Sequence, residues 1–284
     1  MDDAGLMRAL RGVLDEAAAM AASRRPARAD RKAHQDHVTD VDLAVDALLQ
    51  GRLAALTPGL PVLSEERAVT LAGDCPAYWI VDPIDGTANL IAGLPFVGIA
   101  VALVDGDGPR VAGVASLGEG RVTLAMRGGG AWACTARAPQ TPLRLPEAPP
   151  ELVVVSTGLL DRLVAGEPGR WQALRRVGKI RNLGAQSLHL VGVAEGRFAA
   201  VASHEARVWD EAAAGLVVRE AGGLWASAAD GADWRQPAAL MAIAAQQSLA
   251  CHPGAAQGMA AALAGLVRLP PGADAAATGG DRAG

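Results

Sequence analysis

The chain of 284 residues carries 26 Lys and Arg against 30 Asp and Glu, a formal charge of −4, with 51% hydrophobic, 3% aromatic and 20% charged residues. This apolar content excludes a disordered chain, and the mild acidity excludes a general phosphate-backbone binder, which needs Lys and Arg in excess along one face. Nucleic acid is therefore not an expected partner.

Cys75, Cys134 and Cys251 have no Cys-x-x-Cys spacing, which predicts reduced thiols and neither a disulfide framework nor a zinc site. The longest apolar run, residues 94–104, is too short to span a bilayer, and the acidic N-terminus does not resemble a secretory signal. The expectation is a soluble, cytoplasmic protein with no membrane partner.

Leu6, Leu10, Val13, Leu14, Ala17 and Ala21 recur at helical spacing and predict a helix over 3–23, ended by Arg24-Arg25-Pro26. The basic run Arg24, Arg25, Arg28, Arg31 and Lys32 reads as a solvated loop. A second helix is predicted over 40–56, with Thr39 or Asp40 as its N-cap and Asp42 and Asp46 sharing a face. From residue 61 the period changes, predicting strands over 61–63, 79–81, 96–104, 111–115, 122–126 and 131–134, with hairpin turns at 105–108 and 118–120. The proline-rich stretch 139–150 marks the expected boundary between a first half, 1–145, and a second, 146–268. In the second half strands (152–155, 179–181, 198–202, 240–244) alternate with helices (171–176, 186–194, 210–221, 255–267), the pattern of an α/β layer. Residues 269–284 lack periodicity and read as a disordered tail.

The sharpest feature is Trp79-Ile80-Val81-Asp82-Pro83-Ile84-Asp85-Gly86-Thr87. An apolar strand ends in two carboxylates three residues apart, Pro83 stiffens the turn, and Gly86 permits a close backbone approach. Free amides opening the next helical turn suit a phosphate, and hard oxygen ligands beside a phosphate imply Mg²⁺. Acidic turns that merely cap themselves are common. Ser64-Glu65-Glu66 and Trp209-Asp210-Glu211 supply the further carboxylates that a multinuclear metal cluster needs. A phosphate monoester is an anion that resists an anionic nucleophile, so such a site must neutralise charge and generate hydroxide near neutral pH. Two metal ions about 4 Å apart do both.

Four segments, Asp36-His37-Val38-Thr39-Asp40-Val41-Asp42, Ser64-Glu65-Glu66, Asp82-Pro83-Ile84-Asp85-Gly86-Thr87 and Trp209-Asp210-Glu211-Ala212-Ala213-Ala214-Gly215 followed by Glu220-Ala221-Gly222-Gly223, resemble the inositol monophosphatase family in content and order. Arg127-Gly128-Gly129-Gly130-Ala131-Trp132 and Leu183-Gly184-Ala185-Gln186-Ser187 extend the similarity, which runs over about 5–265. The resemblance implies a Li⁺-sensitive, Mg²⁺-dependent phosphomonoesterase of layered αβαβα architecture. An α+β half and an α/β half would form the cleft between them. It implies one metal on Glu65, Asp82 and the Ile84 carbonyl, and a second on Asp82, Asp85 and Asp210, with Asp82 bridging. Thr87, hydrogen-bonded to Asp42, and Glu65 would orient and activate the attacking water. The amides of Gly86 and Thr87 would hold the phosphate, with Asp85 and Asp210 beside it, and Gly184, Ala185 and Gln186 would line the substrate side. Homodimerisation is a further family expectation.

Three departures bear on this transfer. Ser64 stands where the family usually has glycine, and Ala88 where a threonine often follows Gly-Thr. Inositol-specific members carry a glutamate seven positions before the Trp-Asp aspartate; here that position is Ser203, and Glu205 is the nearest substitute, needing a shifted loop. The substrate is accordingly a small soluble phosphate ester, with a 3′(2′),5′-bisphosphate nucleotidase, a histidinol-phosphate or fructose-bisphosphate phosphatase, and a non-catalytic regulatory partner as alternatives. His34, His37, His189, His204 and His252 lack metal-ligand spacing and read as surface or packing residues. Gly128-Gly129-Gly130 lacks the helix and Lys of a phosphate loop and reads as a turn.

Overall fold

The computed structural model describes residues 1–33, 36–67, 73–135, 140–166, 168–243 and 246–271. Helix α1 (Asp3–Ala22) starts where the Asp2 carboxylate accepts from the Gly5 amide at 2.9 Å, and it buries Leu6, Leu10, Leu14, Ala17 and Ala21 as one stripe. The basic run is not wholly a loop: its end forms β1 (Ala29–Ala33), antiparallel to β2 (Asp36–Thr39). Asp40 explains the difference, because its carboxylate accepts from the Ala27 and Arg28 amides at 2.9 and 3.1 Å and draws the incoming chain alongside 36–39. Helix α2 (Asp40–Leu56) is capped by Thr39, and Asp42 reaches back to the Thr39 amide at 3.1 Å.

Next come β3 (Val62–Ser64), β4 (Ala77–Asp85), the short helix α3 (Thr87–Ala92), β5 (Gly98–Asp105), β6 (Gly108–Ser116), β7 (Arg121–Met126), β8 (Gly130–Thr135) and β9 (Thr141–Leu143). They build a seven-stranded sheet in chain order, antiparallel except for the β3–β4 pair. Then follow β10 (Leu152–Val155), α4 (Thr157–Ala165), α5 (Pro168–Val177), β11 (Lys179–Arg181), α6 (Gln186–Ala194), β12 (Ala200–Ala206), α7 (Val208–Glu220), β13 (Leu224–Ala226), α8 (Pro237–Met241), β14 (Gln246–Cys251) and α9 (Ala256–Leu263). The second sheet has the order β11-β10-β12-β14-β13.

The period-2 alternation of the strands separates three cores. Trp79, Val81, Val101 and Leu103 face α1 and α2; Tyr78, Ile80, Ala100 and Ala102 face α6 and α7 from the other side of the same sheet. Val154, Val201 and Ala250 of the second sheet meet α6 and α7 in turn, while Val153, Val155 and Leu249 pack on α4, α5 and α9. The result is the layered αβαβα arrangement that the resemblance implied, of mixed α+β class.

Two expectations fail in the second half. Of the strand expected over 240–244, the described residues 240–243 form none, 244 lying outside the described residues: Pro237 opens α8, Leu240 is buried on that helix, and the strand is described from Gln246. The last helix stops at Leu263, short of 267, because the chain turns through Gly265 at φ +77°. Strands β9 and β13 are only three residues long, too short to carry periodicity, and helix α4, with Ser156 as its N-cap and Leu159 and Leu163 buried one turn apart, was not anticipated. Most of the expected disordered tail, 272–284, lies outside the described residues, as does His34. Among the described residues no helix is long and apolar enough to cross a membrane, and the three cysteines are unpaired.

Candidate active site

In a regular strand, residues three apart point to opposite faces, so Asp82 and Asp85 need a local irregularity to converge. A β-bulge supplies it: Asp82 lies opposite Ala100 and Asp85 opposite Gly98, three steps of β4 against two of β5. Pro83, with no amide to donate, sits within the bulge, where its missing ladder bond costs least. The Ile84 amide turns inward and donates to Asp82 Oδ1 at 3.1 Å. Gly86 then takes φ +90°, and a Cβ there would stand 3.1 Å from the Gly184 and Phe96 carbonyl oxygens and from the Ala185 methyl. This close approach delivers Thr87 to the start of α3 with the 184–186 segment against it.

Glu65 follows β3, its amide held by the Val81 carbonyl at 3.3 Å. Asp210 is the third residue of α7, and its Oδ2 accepts from the Arg207 amide at 2.7 Å. One carboxylate oxygen each from Glu65, Asp82 and Asp210 lie within 4.8 Å of one another. Glu65, Asp82, Ile84, Asp85, Gly86, Thr87, Gly184 and Asp210 line a single cleft of about 220 Å³, together with His37 and Ala88.

The crowding has an electrostatic cost. Burial, and then the neighbouring Glu65, Asp85 and Asp210, push the Asp82 carboxyl well above the usual carboxylate range. Burial, then Asp85 and Glu65, act on Asp210 in the same direction. Burial also raises Asp85, to about 6, against hydrogen bonds from Ser187 and Gln186 that favour its charged form. Those bonds are the Gln186 amide to Oδ1 at 3.0 Å, and the Ser187 amide to Oδ2 at 2.6 Å with the Ser187 hydroxyl on the same oxygen. Gly98 makes room, since a Cβ there would stand 2.8 Å from Ser187 Oγ. Converging carboxylate oxygens that repel one another fit a hard divalent cation such as Mg²⁺, whose charge removes the repulsion and whose preferred donor is oxygen.

Asp42 is buried beside this set. Thr87 Oγ1 lies 2.9 Å from its Oδ1 and 3.2 Å from the Ile84 carbonyl, and the Thr39 hydroxyl donates to Oδ2. Of the two acceptors, the Asp42 oxygen is the nearer. The Thr87 proton is therefore directed to Asp42, and the lone pairs of its oxygen face the cleft.

A second pocket of about 180 Å³ adjoins the first, sharing Asp85, Gly184 and Asp210, and adds Ala185, Gln186, Ser156, Thr157, Asn182, Ser203 and Glu205. The shifted loop that Glu205 required is present as a bulge in β12, where the pairing with β14 slips between Ser203 and Ala206. The Glu205 carboxylate is nonetheless engaged: it accepts from the Thr157 and Gly158 amides at 3.0 and 2.7 Å, at the start of α4. Sequence reasoning passed over Ser187, Thr39, His37, His189 and Glu211. Ser187 had a readable signal, a small hydroxyl residue in the first turn of the helix opened by 184–186, and Thr39 was legible as an N-cap though not as a partner of Asp42 in the site; His189 acts through near neighbours that form no motif, and Glu211 through the distant Gln186 and Ser248.

A sequence model of the inositol monophosphatase family matches residues 4–266. An inositol-1-monophosphatase from Mycobacterium leprae is 36% identical over 196 residues, spanning 66% of this chain and 67% of that protein. The solved structure of SuhB from Mycobacterium tuberculosis shares 27% identity and a TM-score of 0.72, covering 93% of this chain and 99% of that one. A structure described as an IMPase/NADP phosphatase complexed with Mg²⁺ and phosphate has a TM-score of 0.72 at 21% identity over 92% of this chain and 94% of its own, a likeness of fold alone. Spanning 4–266 and carrying the converging carboxylates, this chain belongs to the inositol monophosphatase family and is a phosphatase of that type.

Proposed function

We propose that the protein is a Mg²⁺-dependent phosphomonoesterase of small phosphate esters. The observation that carries this reading is the set of oxygens from Glu65, Asp82 and Asp210 within 4.8 Å of one another in a cleft open to a ligand. The Mg²⁺ and phosphate bound to the fold relative support it. Glu65, Asp82 and the Ile84 carbonyl would hold one ion, and Asp82, Asp85 and Asp210 a second. Residues 1–145 would thus supply most of the ligands, and 146–268 would complete the site. Bound Mg²⁺ neutralises phosphate charge and lowers the pKa of water in its coordination sphere.

The remaining work falls to the chain. Thr87 Oγ1, its hydroxyl donating a hydrogen bond to Asp42, accepts a hydrogen bond from the attacking water and orients it, and Glu65 takes the water proton as the new P–O bond forms. The amides of Gly86 and Thr87 hold the phosphate oxygens at the start of α3. On the opposite side of phosphorus the ester P–O bond breaks, and the leaving oxygen, beside Asp210, is protonated from solvent. The leaving group occupies the second pocket, against Gly184, Ala185, Gln186 and Glu205. A cytoplasmic location, homodimerisation and inhibition by Li⁺ belong to the same proposal and rest on family membership.

The test is phosphate release from myo-inositol 1-phosphate, 3′-phosphoadenosine 5′-phosphate, fructose 1,6-bisphosphate, histidinol phosphate and glycerol 2-phosphate, with Mg²⁺ and with EDTA. One substrate far ahead of the others and silenced by EDTA is the expected result. Release unchanged by EDTA overturns the metal assignment, and full activity in several tens of millimolar Li⁺ overturns the predicted inhibition.

A further inference from the structure

His189 carries no assigned role, yet it is 3% exposed and borders the second pocket from the first turn of α6. The Leu183 amide donates to His189 Nε2 at 3.2 Å, so that nitrogen holds no proton. Burial pushes the ring's pKa down to about 3, which keeps it neutral, and the single ring proton is left on Nδ1. Nδ1 faces Gln186 Oε1 at 3.3 Å and donates to it. With its oxygen turned to His189, the Gln186 amide nitrogen faces Glu211 and donates to Oε1 at 2.8 Å. Glu211 is fully buried, and the Ser248 hydroxyl donates to the same oxygen. The bonds run in one direction, Leu183 to His189 to Gln186 to Glu211, and the Leu183 donor sets the orientation of each later group.

We propose that His189 and Glu211 are positioning residues, which through Gln186 fix the 183–187 turn and so hold the two backbone amides that aim Asp85 into the metal cleft. The geometry leaves few other tasks for these groups. The Gln186 side chain, expected on the substrate, has both of its polar atoms engaged within the protein, while its backbone amide and that of Ser187 bind Asp85. Asn89 closes the far side, donating to the Leu183 and Phe96 carbonyls at 2.7 and 2.8 Å. The turn is thereby tied to α3 and the segment leading into β5 in one direction and to α7 and β14 in the other. If the 183–187 turn loosens, the Asp85 carboxylate loses its fixed orientation, and a misaligned ligand weakens metal binding. This inference rests on the reading of Asp85 as a metal ligand.

The experiment is direct titration of the purified full chain with Mn²⁺ alone, read by electron paramagnetic resonance, for wild type, His189→Leu, His189→Asn, Gln186→Met, the His189→Leu/Gln186→Met double variant and Asp85→Asn. His189→Leu and Gln186→Met are expected to weaken Mn²⁺ binding about tenfold, the usual scale for a partner that orients a ligand. The double variant is expected to lose no more than either single variant, because one chain is broken in each case. His189→Asn, which retains a donor toward Gln186, should recover part of the loss. Wild-type affinity in His189→Leu and Gln186→Met, with binding lost in Asp85→Asn, overturns the positioning role and leaves the metal reading standing. Undiminished binding in Asp85→Asn overturns the metal reading, and the positioning role with it. Should His189→Leu fail to fold, Gln186→Met alone decides.

Discussion

The two adjoining pockets share Asp85, Gly184 and Asp210 but treat their acidic groups in opposite ways. In the first, Glu65, Asp82 and Asp210 bring oxygens together, and burial and mutual repulsion push Asp82 and Asp210 well above the usual carboxylate range. In the second, the Glu205 carboxylate is satisfied by two amides at the start of α4. A carboxylate already bonded to backbone amides contributes to the fold it sits in. Carboxylates that converge on one another keep their mutual repulsion despite amide donors such as those of Ile84 and Arg207, and a bound cation would relieve it, which supports the proposal that the first pocket is where the chemistry occurs.

The largest expected effect breaks the first pocket. Asp210→Asn or Asp85→Asn should reduce turnover to below about a tenth of wild type, since losing part of a two-metal clamp costs several kcal/mol of transition-state stabilisation. The circular dichroism spectrum should be unchanged, because asparagine at Asp210 still accepts from the Arg207 amide. Initial rates at saturating Mg²⁺ decide this, and a variant above that level removes the two-metal assignment. Next in size is the response to metal without substrate: millimolar Mg²⁺ should raise the melting temperature of wild type by several degrees, EDTA should reverse it, and Asp82→Asn should show little of it. An equal rise in Asp82→Asn would separate Mg²⁺ binding from this cleft.

The acid limb of stability sharpens the comparison between repelling carboxylates and the neutral group behind them. His189 has a folded pKa of about 3 against an ordinary 6.5, so between those values the unfolded chain binds the extra proton. Its contribution to stability is therefore whole above about pH 6.5 and is lost as pH falls toward 3. Chemical denaturation from pH 7 to 5 should show wild type losing stability more steeply than His189→Leu; parallel curves would contradict the buried, neutral assignment. The smallest effect belongs to the second pocket. Glu205→Ala removes the acceptor at the start of α4 and should cost about 1 kcal/mol of stability. It should change KM more than kcat, and a large fall in kcat would place Glu205 in the chemistry instead.

Much of this arrangement was legible from local pattern. The stripes of α1 and α2, the alternation of β4 to β8 and the start and end of α6 follow from helical and strand periodicity, which depend on neighbours a few residues away. Failures occurred where a contact or a turn outside the periodic pattern decided the outcome. The basic run became part of a hairpin because Asp40 captures the Ala27 and Arg28 amides, and residues 240–243 became the end of α8 and a turn because Pro237 opens a helix there. His189 looked like an ordinary packing histidine because its partners, Leu183 and Gln186, carry no motif that involves a histidine.

The sequence by itself determined the identity of the acidic groups, the apolar strand that carries Asp82 and Asp85, and the order of segments that reveals the family. Only the tertiary structure decided that a bulge turns those two aspartates to one side and that Glu65 and Asp210, from different sheets' neighbourhoods, complete the set. It alone decided that Glu205 is spent on α4 while Gln186 faces inward. The reason is range: periodicity and turn chemistry act over a few residues, whereas hydrogen bonds such as Ser187 to Asp85 form only after both sheets have packed on α6 and α7.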